Sequence, residues 1–218
     1  MAIDGPAGAG KSTLARRVAD RLGFLYIDTG AMYRVVTLWA VRLNVSLTDM
    51  HRLEQLAQQA LIEFVPGQPT VLLNGEDVTA EIRTPQVGEG ASHVAAIPGV
   101  RRAMVQRQRE LGLSASIVME GRDIGTVVFP EADVKFFLDA DLSERAERRA
   151  AQLNTPSGPV AEDIQRRDHR DRSRAESPLV QAPDAEYVDT TGMSIEDVEE
   201  ALLRLIRART SNGKELTH

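Results

Sequence analysis

Short apolar runs of strand length alternate along the chain with longer segments whose apolar residues recur at helical spacing. The strand-like runs lie at 2–4, 24–27, 116–120, 134–138 and 186–189. The amphipathic segments predict helices at 11–22, 30–43, 49–61, 85–96, 98–111, 141–153 and 194–206. Strands that alternate with helices predict an α/β fold, in which helices cover both faces of a mostly parallel sheet.

The stretch between the third and fourth predicted helices departs from this alternation. Ile62–Val65 and Thr70–Leu73 have the length and composition of strands. Pro66-Gly67 lies between them and Asn74-Gly75 follows, so turn-forming residues bound both segments. We therefore predict a small antiparallel sheet inserted into the α/β core.

The composition narrows the class of protein. Of the 218 residues, 42% are apolar and 27% charged, which is typical of one globular domain with a sizeable core. There is no cysteine, which excludes a disulfide, a thiolate nucleophile and a cysteine zinc site. No apolar run approaches the roughly 18 residues of a membrane span, and we expect a cytoplasmic protein that acts without a membrane. The 26 basic and 32 acidic residues give a formal charge of −6, which disfavours a dedicated nucleic-acid binder.

The segment from Gly5 to Ser12 matches the phosphate-loop pattern G-x-x-x-x-G-K-[ST] at every position, between a predicted strand and a predicted helix. Its glycines allow successive backbone amides to turn toward phosphate oxygens, and the following helix presents its positive end to them. Lys11 supplies a charge for the β- and γ-phosphates, and the Ser12 hydroxyl is a ligand for Mg²⁺. We predict that ATP binds to Gly5, Pro6, Ala7, Gly8, Ala9, Gly10, Lys11, Ser12 and Thr13.

The rest of the chain distinguishes among the nucleotide-binding classes. No lysine follows an asparagine, so the guanine-reading N-K-x-D element of a GTPase is missing, and a large motor ATPase needs a longer chain. What remains is a small kinase, which must neutralise phosphate charge on both of its substrates. No heptad pattern forces association, so we expect a monomer.

Three arginine-bearing segments are suited to binding phosphate: Asp28–Arg34, Glu120–Asp123 and Arg166–Arg174. The first two follow predicted strands and therefore lie at the carboxyl edge of the sheet, where open α/β folds bind ligands. In the third, the spacing of Arg167, Arg170 and Arg174 predicts that they share one face of a helix, as a phosphate clamp requires.

These residues lie within longer segments that resemble the bacterial cytidylate kinases, of the nucleoside monophosphate kinase superfamily. The phosphate loop, I-D-G-P-A-G-A-G-K-S-T at 3–13, is shared by many families, and D-T-G-A-M-Y-R follows at 28–34. The segments specific to this family are L-N-G-E-D-V-T-A-E-I-R-T at 73–84, A-S-H-V-A-A-I-P-G-V-R at 91–101, E-G-R-D-I-G-T-V-V-F-P at 120–130 and R-D-x-R-D-x-x-R at 167–174. The resemblance extends nearly from end to end. In one departure, Glu120 stands where some relatives have Asp, which lengthens the side chain and keeps its charge.

The resemblance implies a single kinase domain over 1–218, built on a P-loop NTPase core whose parallel sheet is flanked by helices. It implies an inserted region for the nucleoside monophosphate at about 30–100, enlarged by a small antiparallel sheet, and a mobile lid at about 154–176. The implied reaction is transfer of the ATP γ-phosphoryl group to CMP or dCMP, with Mg²⁺ as cofactor.

Roles also carry over by position from the resemblance. The acceptor phosphate is assigned to Thr29, Arg34, Arg122 and Arg174. The cytosine is assigned to Ser92, Arg101 and Asp123, and the sugar hydroxyls to Asp171. Arg167 and Arg170 belong to the lid over the transferring group, so that the catalytic cations are Lys11, Arg122, Arg167, Arg170 and Arg174.

Two other functions and one other residue role stay open at this stage. A kinase for UMP or another small acceptor shares the same phosphate-binding features, and a comparison of acceptors at fixed ATP distinguishes it. An RNA-binding regulator uses 165–174 as a basic arm, although two Asp interrupt that segment and it has no aromatic residue for base stacking. Asp123 either reads the base or only orients Arg122.

Overall fold

The computed structural model describes residues 1–113 and 115–211. The strands are β1 (Ala2–Asp4), β2 (Leu25–Asp28), β3 (Ile62–Phe64), β4 (Val71–Leu73), β5 (Glu76–Asp77), β6 (Ile117–Gly121), β7 (Lys135–Asp139) and β8 (Glu186–Asp189). The α-helices are α1 (Lys11–Leu22), α2 (Thr29–Arg42), α3 (Met50–Gln59), α4 (Pro85–Val94), α5 (Pro98–Gly112), α6 (Leu142–Leu153), α7 (Ser157–Ser173) and α8 (Ile195–Ser211). A short 3₁₀ turn spans Glu81–Arg83, and a π-helical turn spans Ile124–Val128. Within the described part of the chain, no helix combines the length and apolar character needed to cross a bilayer.

The main sheet has the strand order β2-β6-β1-β7-β8. The fully buried β1 pairs in parallel with β6 and with β7, and β7 pairs in parallel with β8. Helices α1 and α8 pack together beside this sheet, and its core includes Ile3, Val118 and Phe136. The predicted α/β fold with a parallel sheet is confirmed. Because the phosphate loop follows the central strand, it begins at the carboxyl edge of the sheet.

The predicted antiparallel sheet is also present. β3 pairs with β4, and β4 pairs with β5. The sequence pattern did not predict the strand β5. The chain divides into two compact units: the first is Met1–Tyr26 with the chain from Ala115 onward, and the second is Ile27–Ser114. The antiparallel sheet belongs to the second unit, whose separate core includes Met32, Leu53 and Met104. The assignment of 30–100 to a nucleoside monophosphate stays a prediction.

One local prediction about the arginine-rich segment is wrong. The segment is helical through Ser173, but Arg174 has an extended backbone with φ −60° and ψ 138° and lies beyond the end of α7. Arg174 therefore does not share a helix face with Arg167 and Arg170. The carbonyl of Asp171 accepts from Leu179 N at 2.8 Å and from Arg174 Nε at 3.3 Å, so at this end of α7 it is paired outside the helical pattern.

Candidate active site

The phosphate loop follows β1 through backbone conformations that glycine adopts easily and other residues do not. Gly5 has φ 147°, and a Cβ there would lie 2.0 Å from the carbonyl oxygen of Leu138 in β7. Gly8 has φ 80°, and a Cβ there would lie 2.9 Å from the carbonyl oxygen of Arg145 in α6. The backbone of the first unit thus leaves no room for a side chain at either position, and α1 begins directly after the loop at Lys11.

Lys11 is buried within this loop. Its Nζ donates a 2.6 Å hydrogen bond to the carbonyl oxygen of Pro6. Burial and the nearby guanidinium of Arg122 lower the pKa of Lys11 to about 7, in spite of the opposing carboxylates of Glu120 and Asp171. A desolvated cation beside a second cation is a site that an anion stabilises.

Arg122, which follows β6, is held by a carboxylate from α7. Its Nε donates to Asp171 Oδ2 at 2.9 Å, and Arg174 Nη2 lies 3.1 Å from Asp171 Oδ1. Burial alone would raise the pKa of Asp171, but the two guanidinium groups outweigh burial and lower it. The structure therefore brings together three predicted site residues, Arg122, Asp171 and Arg174, and places Lys11 within electrostatic range of Arg122 and Asp171.

Asp123 lies directly before the π-helical turn, and its carbonyl oxygen accepts from Val127 N at 2.9 Å. The side chain of Asp123 is buried, close enough to Asp4 to raise the pKa of that carboxyl. Asp4 in turn accepts hydrogen bonds from Ile124 N at 2.9 Å and Gly125 N at 2.7 Å. Burial raises the pKa of Asp4 to about 6, although both amide bonds act in the opposite direction. The turn that bears Asp123 is thus fixed to the end of β1.

Two buried charges on α6 and α7 hold the phosphate loop by its backbone. Asp168 Oδ1 accepts from Ala7 N at 3.3 Å, and Arg145 donates to the carbonyl oxygen of Ala7 at 3.0 Å. The same guanidinium donates to Asp168 Oδ2 at 2.6 Å. Both peptide groups of the loop at this residue are therefore held by side chains of α6 and α7.

Two further predicted site residues, Arg167 and Arg170, lie on α7. Arg167 pairs with Asp163, one turn earlier, at 2.9 Å. Burial first, and the charge of Arg167 second, lower the pKa of Arg149 on α6. Arg170 is partly buried on α7. Arg149 and Arg167 thus form a second pair of neighbouring cations.

The second unit carries two residues predicted to hold the acceptor phosphate. Thr29 is buried as the first residue of α2, whose N-terminus is capped by Asp28 Oδ1 accepting from Ala31 N at 3.0 Å. Arg34 lies on the same helix, and its Nη1 donates to the carbonyl oxygen of Ile82 at 3.0 Å. A hydroxyl and an arginine close to a helix N-terminus are suited to binding an anion.

The second unit also carries two of the residues predicted to read the base. Ser92 is partly buried on α4. Arg101 on α5 is buried, and it donates to the carbonyl oxygen of Ala95 at 3.0 Å. Its guanidinium carbon lies 5.6 Å from the centre of the Tyr33 ring, so the two groups make a cation–π contact.

Sequence reasoning missed four charged residues of the first unit: Asp4, Arg145, Arg149 and Asp168. For Asp4, the available signal was a carboxylate at the end of a short apolar strand, directly before a phosphate loop. For Asp168, the signal was its place within the arginine-rich motif, where it was interpreted only as an interruption of positive charge.

The lowered pKa of Lys11 predicts that ATP binding takes up a proton at pH 8. At this pH the amine is largely neutral in the free protein, because its pKa is about 7, and the terminal phosphate of ATP is already ionised. Bound phosphates raise the pKa of Lys11, so the affinity for ATP falls above pH 7 by up to about tenfold per pH unit. Calorimetric titrations in two buffers of different ionisation enthalpy measure the uptake, with Lys11→Met as the control. Binding without uptake at pH 8 contradicts the pKa assigned to Lys11.

The family-model comparison and the comparison with curated proteins agree on one family. The family model for cytidylate kinase matches residues 1–208. A cytidylate kinase of Solibacter usitatus is 58% identical, with 100% of this chain and 96% of the relative covered. One from Lactiplantibacillus plantarum is 48% identical, with 97% and 96% covered. Among solved structures, an uncharacterized protein from Eubacterium ventriosum shares the fold, with a TM-score of 0.56 at 11% identity and 95% and 97% of the two chains covered.

Proposed function

The chain belongs to the cytidylate kinase family, and we propose that it transfers the γ-phosphoryl group of ATP to CMP or dCMP, giving ADP and CDP or dCDP. The observation that carries this proposal in the structure is the closeness of two cations, the buried Lys11 and the partly buried Arg122. Lys11 is the first residue of α1, and Arg122 follows β6, the strand next to β1. A phosphoryl group between them would be neutralised from the donor side and from the acceptor side.

Transfer between two phosphates requires alignment and charge stabilisation more than a strong base, since the acceptor is itself an ionised phosphate. On the donor side, the amides at the start of α1 bind the phosphates of ATP, and Lys11 exchanges the carbonyl of Pro6 for them. On the acceptor side, Arg122 and Arg174 exchange part of their pairing with Asp171 for the phosphate of CMP. Arg167 and Arg170 on α7 add charge over the transferring group.

In the second unit, Thr29 and Arg34 are assigned to the acceptor phosphate, and Ser92 and Arg101 to the cytosine. In the first unit, Asp123 is assigned to the cytosine and Asp171 to the sugar hydroxyls. Thr29, Arg101 and Asp123 are buried, and Arg34, Ser92 and Asp171 are partly buried. For the base this burial supports the assignment, since a buried polar group left unpaired by the wrong base discriminates strongly against it.

Magnesium is expected to arrive with ATP. Mg²⁺ takes oxygen ligands, keeps several waters, and is commonly held by one or two protein groups together with substrate phosphates. The Ser12 hydroxyl fits this requirement, because it is exposed at the second position of α1, beside the phosphate-binding amides. The ion supplies further neutralisation of the phosphate charge when it is bound.

A coupled assay of ADP release, with CMP, dCMP, UMP, AMP and GMP as acceptors at fixed ATP, tests the proposed function. We expect the highest kcat/KM with CMP and dCMP. A higher kcat/KM with UMP would instead identify the protein as a kinase for UMP that uses the same phosphate-binding residues. Salt-dependent binding of RNA without nucleotide, combined with no kinase activity toward any of these acceptors, overturns the proposal in favour of the RNA-binding alternative.

Asp123→Asn is expected to lower the preference for CMP over UMP by about tenfold. Cytosine presents an amino group as a donor, which a fixed carboxylate accepts, whereas uracil presents a carbonyl there. An amide side chain offers a donor or an acceptor, and mismatched buried polar groups cost about 1–3 kcal/mol. The measurement is kcat/KM for both acceptors at saturating ATP, with Asp133→Asn as the control at an exposed carboxylate. If both rates fall together at an unchanged ratio, Asp123 positions Arg122 and does not read the base.

Hydrogen exchange across 154–176 is expected to slow when the protein binds an analogue that joins ATP and CMP. Residues 154–159 are exposed, and Arg149 and Arg167 are like charges whose repulsion bound phosphates relieve. Closure of this segment would exclude water from the transferring group. Mass spectrometry of peptides from 154–176 makes the measurement, with peptides of α8 as the internal reference. Equal exchange with and without the analogue contradicts a closing lid.

A further inference from the structure

Asp4 connects the segments that bear Lys11 and Arg122, and the proposed mechanism does not use it. It is the last residue of β1, directly before Gly5, and its side chain is buried. Its two carboxylate oxygens accept separately from Ile124 N and Gly125 N, at 2.9 and 2.7 Å. These amides follow Arg122 and Asp123 without an intervening residue.

The space around this contact is closely filled. A Cβ added at Gly125 would lie 3.4 Å from Asp4 Oδ2 and 3.1 Å from the Cδ of Lys135. The turn therefore packs closely against the side chains of Asp4 and Lys135, and a side chain at Gly125 would press on Lys135. Two hydrogen bonds from adjacent amides to one carboxylate fix the position and the direction of the turn.

The strands themselves do not need this carboxylate. β1 and β6 are already paired, with Ile3 opposite Glu120 and Asp4 opposite Gly121. The other residues of β1 are buried and apolar, and an apolar residue at the end of the strand would avoid the cost of burying a charge. The two amide bonds act on the turn after the strand, which is where the acceptor-side residues lie.

We propose that Asp4 is a positioning residue for phosphoryl transfer, which sets the place of Arg122 and Asp123 relative to the phosphate loop by holding the amides of Ile124 and Gly125. This inference rests on the proposed function. Loss of the carboxylate leaves the groups that bind ATP in place but displaces the acceptor side, so it lowers kcat by about 10- to 100-fold, the scale of a small misalignment. The dissociation constant of ATP changes by less than about threefold.

The test compares Asp4→Asn with Glu199→Gln. The NH₂ group of Asn is a donor, so in Asp4→Asn it faces one of the two backbone amides, Ile124 N or Gly125 N, and that hydrogen bond is lost. Glu199 is an equally buried carboxylate of the same unit, held by Arg17 and Arg21, so its replacement reports the general effect of losing such a group. Thermal midpoint, ATP dissociation constant, kcat and KM are measured for both variants, and Asp4→Ser, which keeps a small acceptor, is the second variant should Asn prevent folding.

A kcat loss confined to the Asp4 variants, at comparable thermal destabilisation, supports the inference. A further expectation is that Asp4→Asn lowers kcat much less when Arg122→Ala is already present, because both substitutions then act on one interaction. The inference is overturned if the Asp4 and Glu199 variants lose stability to a similar extent and show the same small change in kcat. It is also overturned if the loss of kcat in the double variant equals the product of the losses in Asp4→Asn and Arg122→Ala. The same assay measures the unmodified protein first. If that protein does not phosphorylate CMP, the proposed function is refuted, whatever the Asp4 variants do.

Discussion

Lys11→Met is expected to lower kcat by at least about 10²-fold while the protein stays folded. The lysine is the cation nearest the transferring group in the proposed mechanism, and interactions that strengthen in the transition state appear in kcat. Met keeps the length and apolar volume of the buried side chain, so the substitution removes the ammonium and its bond to Pro6. Steady-state kinetics at saturating CMP, with circular dichroism as the check on folding, make the measurement.

Lys135→Met is the matched control for this experiment. Lys135 is also buried, and its ammonium also donates to the carbonyl of a proline five residues earlier, Pro130, and pairs with Asp184 at 2.8 Å. Its replacement is expected to lower the thermal midpoint and to change kcat by less than about fivefold. If a folded Lys11→Met protein retains nearly normal kcat, the placement of the donor phosphates is wrong.

Arg122→Ala is expected to lower kcat/KM for CMP by about 10³-fold, the lower end of the effect of an arginine that stabilises phosphoryl transfer. It removes the acceptor-side cation and leaves Asp171 with one guanidinium partner. Because Arg122 also lowers the pKa of Lys11, its loss raises that pKa and reduces the proton uptake on ATP binding at pH 8. The two measurements are independent, since kcat/KM for CMP reports on the acceptor and proton uptake reports on the binding of the donor, ATP.

Arg209→Ala provides the comparison for Arg122. The Arg209 side chain is 34% exposed against 27% for Arg122, and it pairs with Glu186 at 2.9 Å. A variant at this surface pair is expected to keep nearly normal kinetics. Comparable losses in the two variants would show that the cost comes from breaking an ion pair and not from the loss of an acceptor-side cation.

The sequence predicted the fold well wherever hydrophobic spacing decides the structure, and less well where distant contacts decide it. β5 was missed because Glu76 and Asp77 are polar and exposed, so nothing in their pattern indicates a strand. The π-helical turn over Ile124–Val128 was missed because five residues are too few to show a repeating helical pattern. Its geometry depends on Asp4, which lies 120 residues from Ile124 in the sequence.

The same distinction applies to the site. The phosphate loop was found because its chemistry is local, with each glycine, the lysine and the serine at fixed spacing. Arg145 and Asp168 were missed because they act on Ala7, which lies 138 and 161 residues away in the sequence. Single-sequence spacing contains no information about such pairs, and the family resemblance supplied no role for Arg145 or for Asp168.

The burial of Lys11 beside Arg122 has a consequence for covalent chemistry. With a pKa of about 7, a large share of this lysine is a free amine at neutral pH, whereas an ordinary exposed lysine is almost entirely protonated. A free amine is a nucleophile, so Lys11 is an attachment point for an acylating group placed on a nucleotide-like scaffold. Because the glycine loop and Lys11 are assigned to the phosphates of ATP, such reagents are expected to need a phosphate-like chain, and bound ATP would block them by charging the amine.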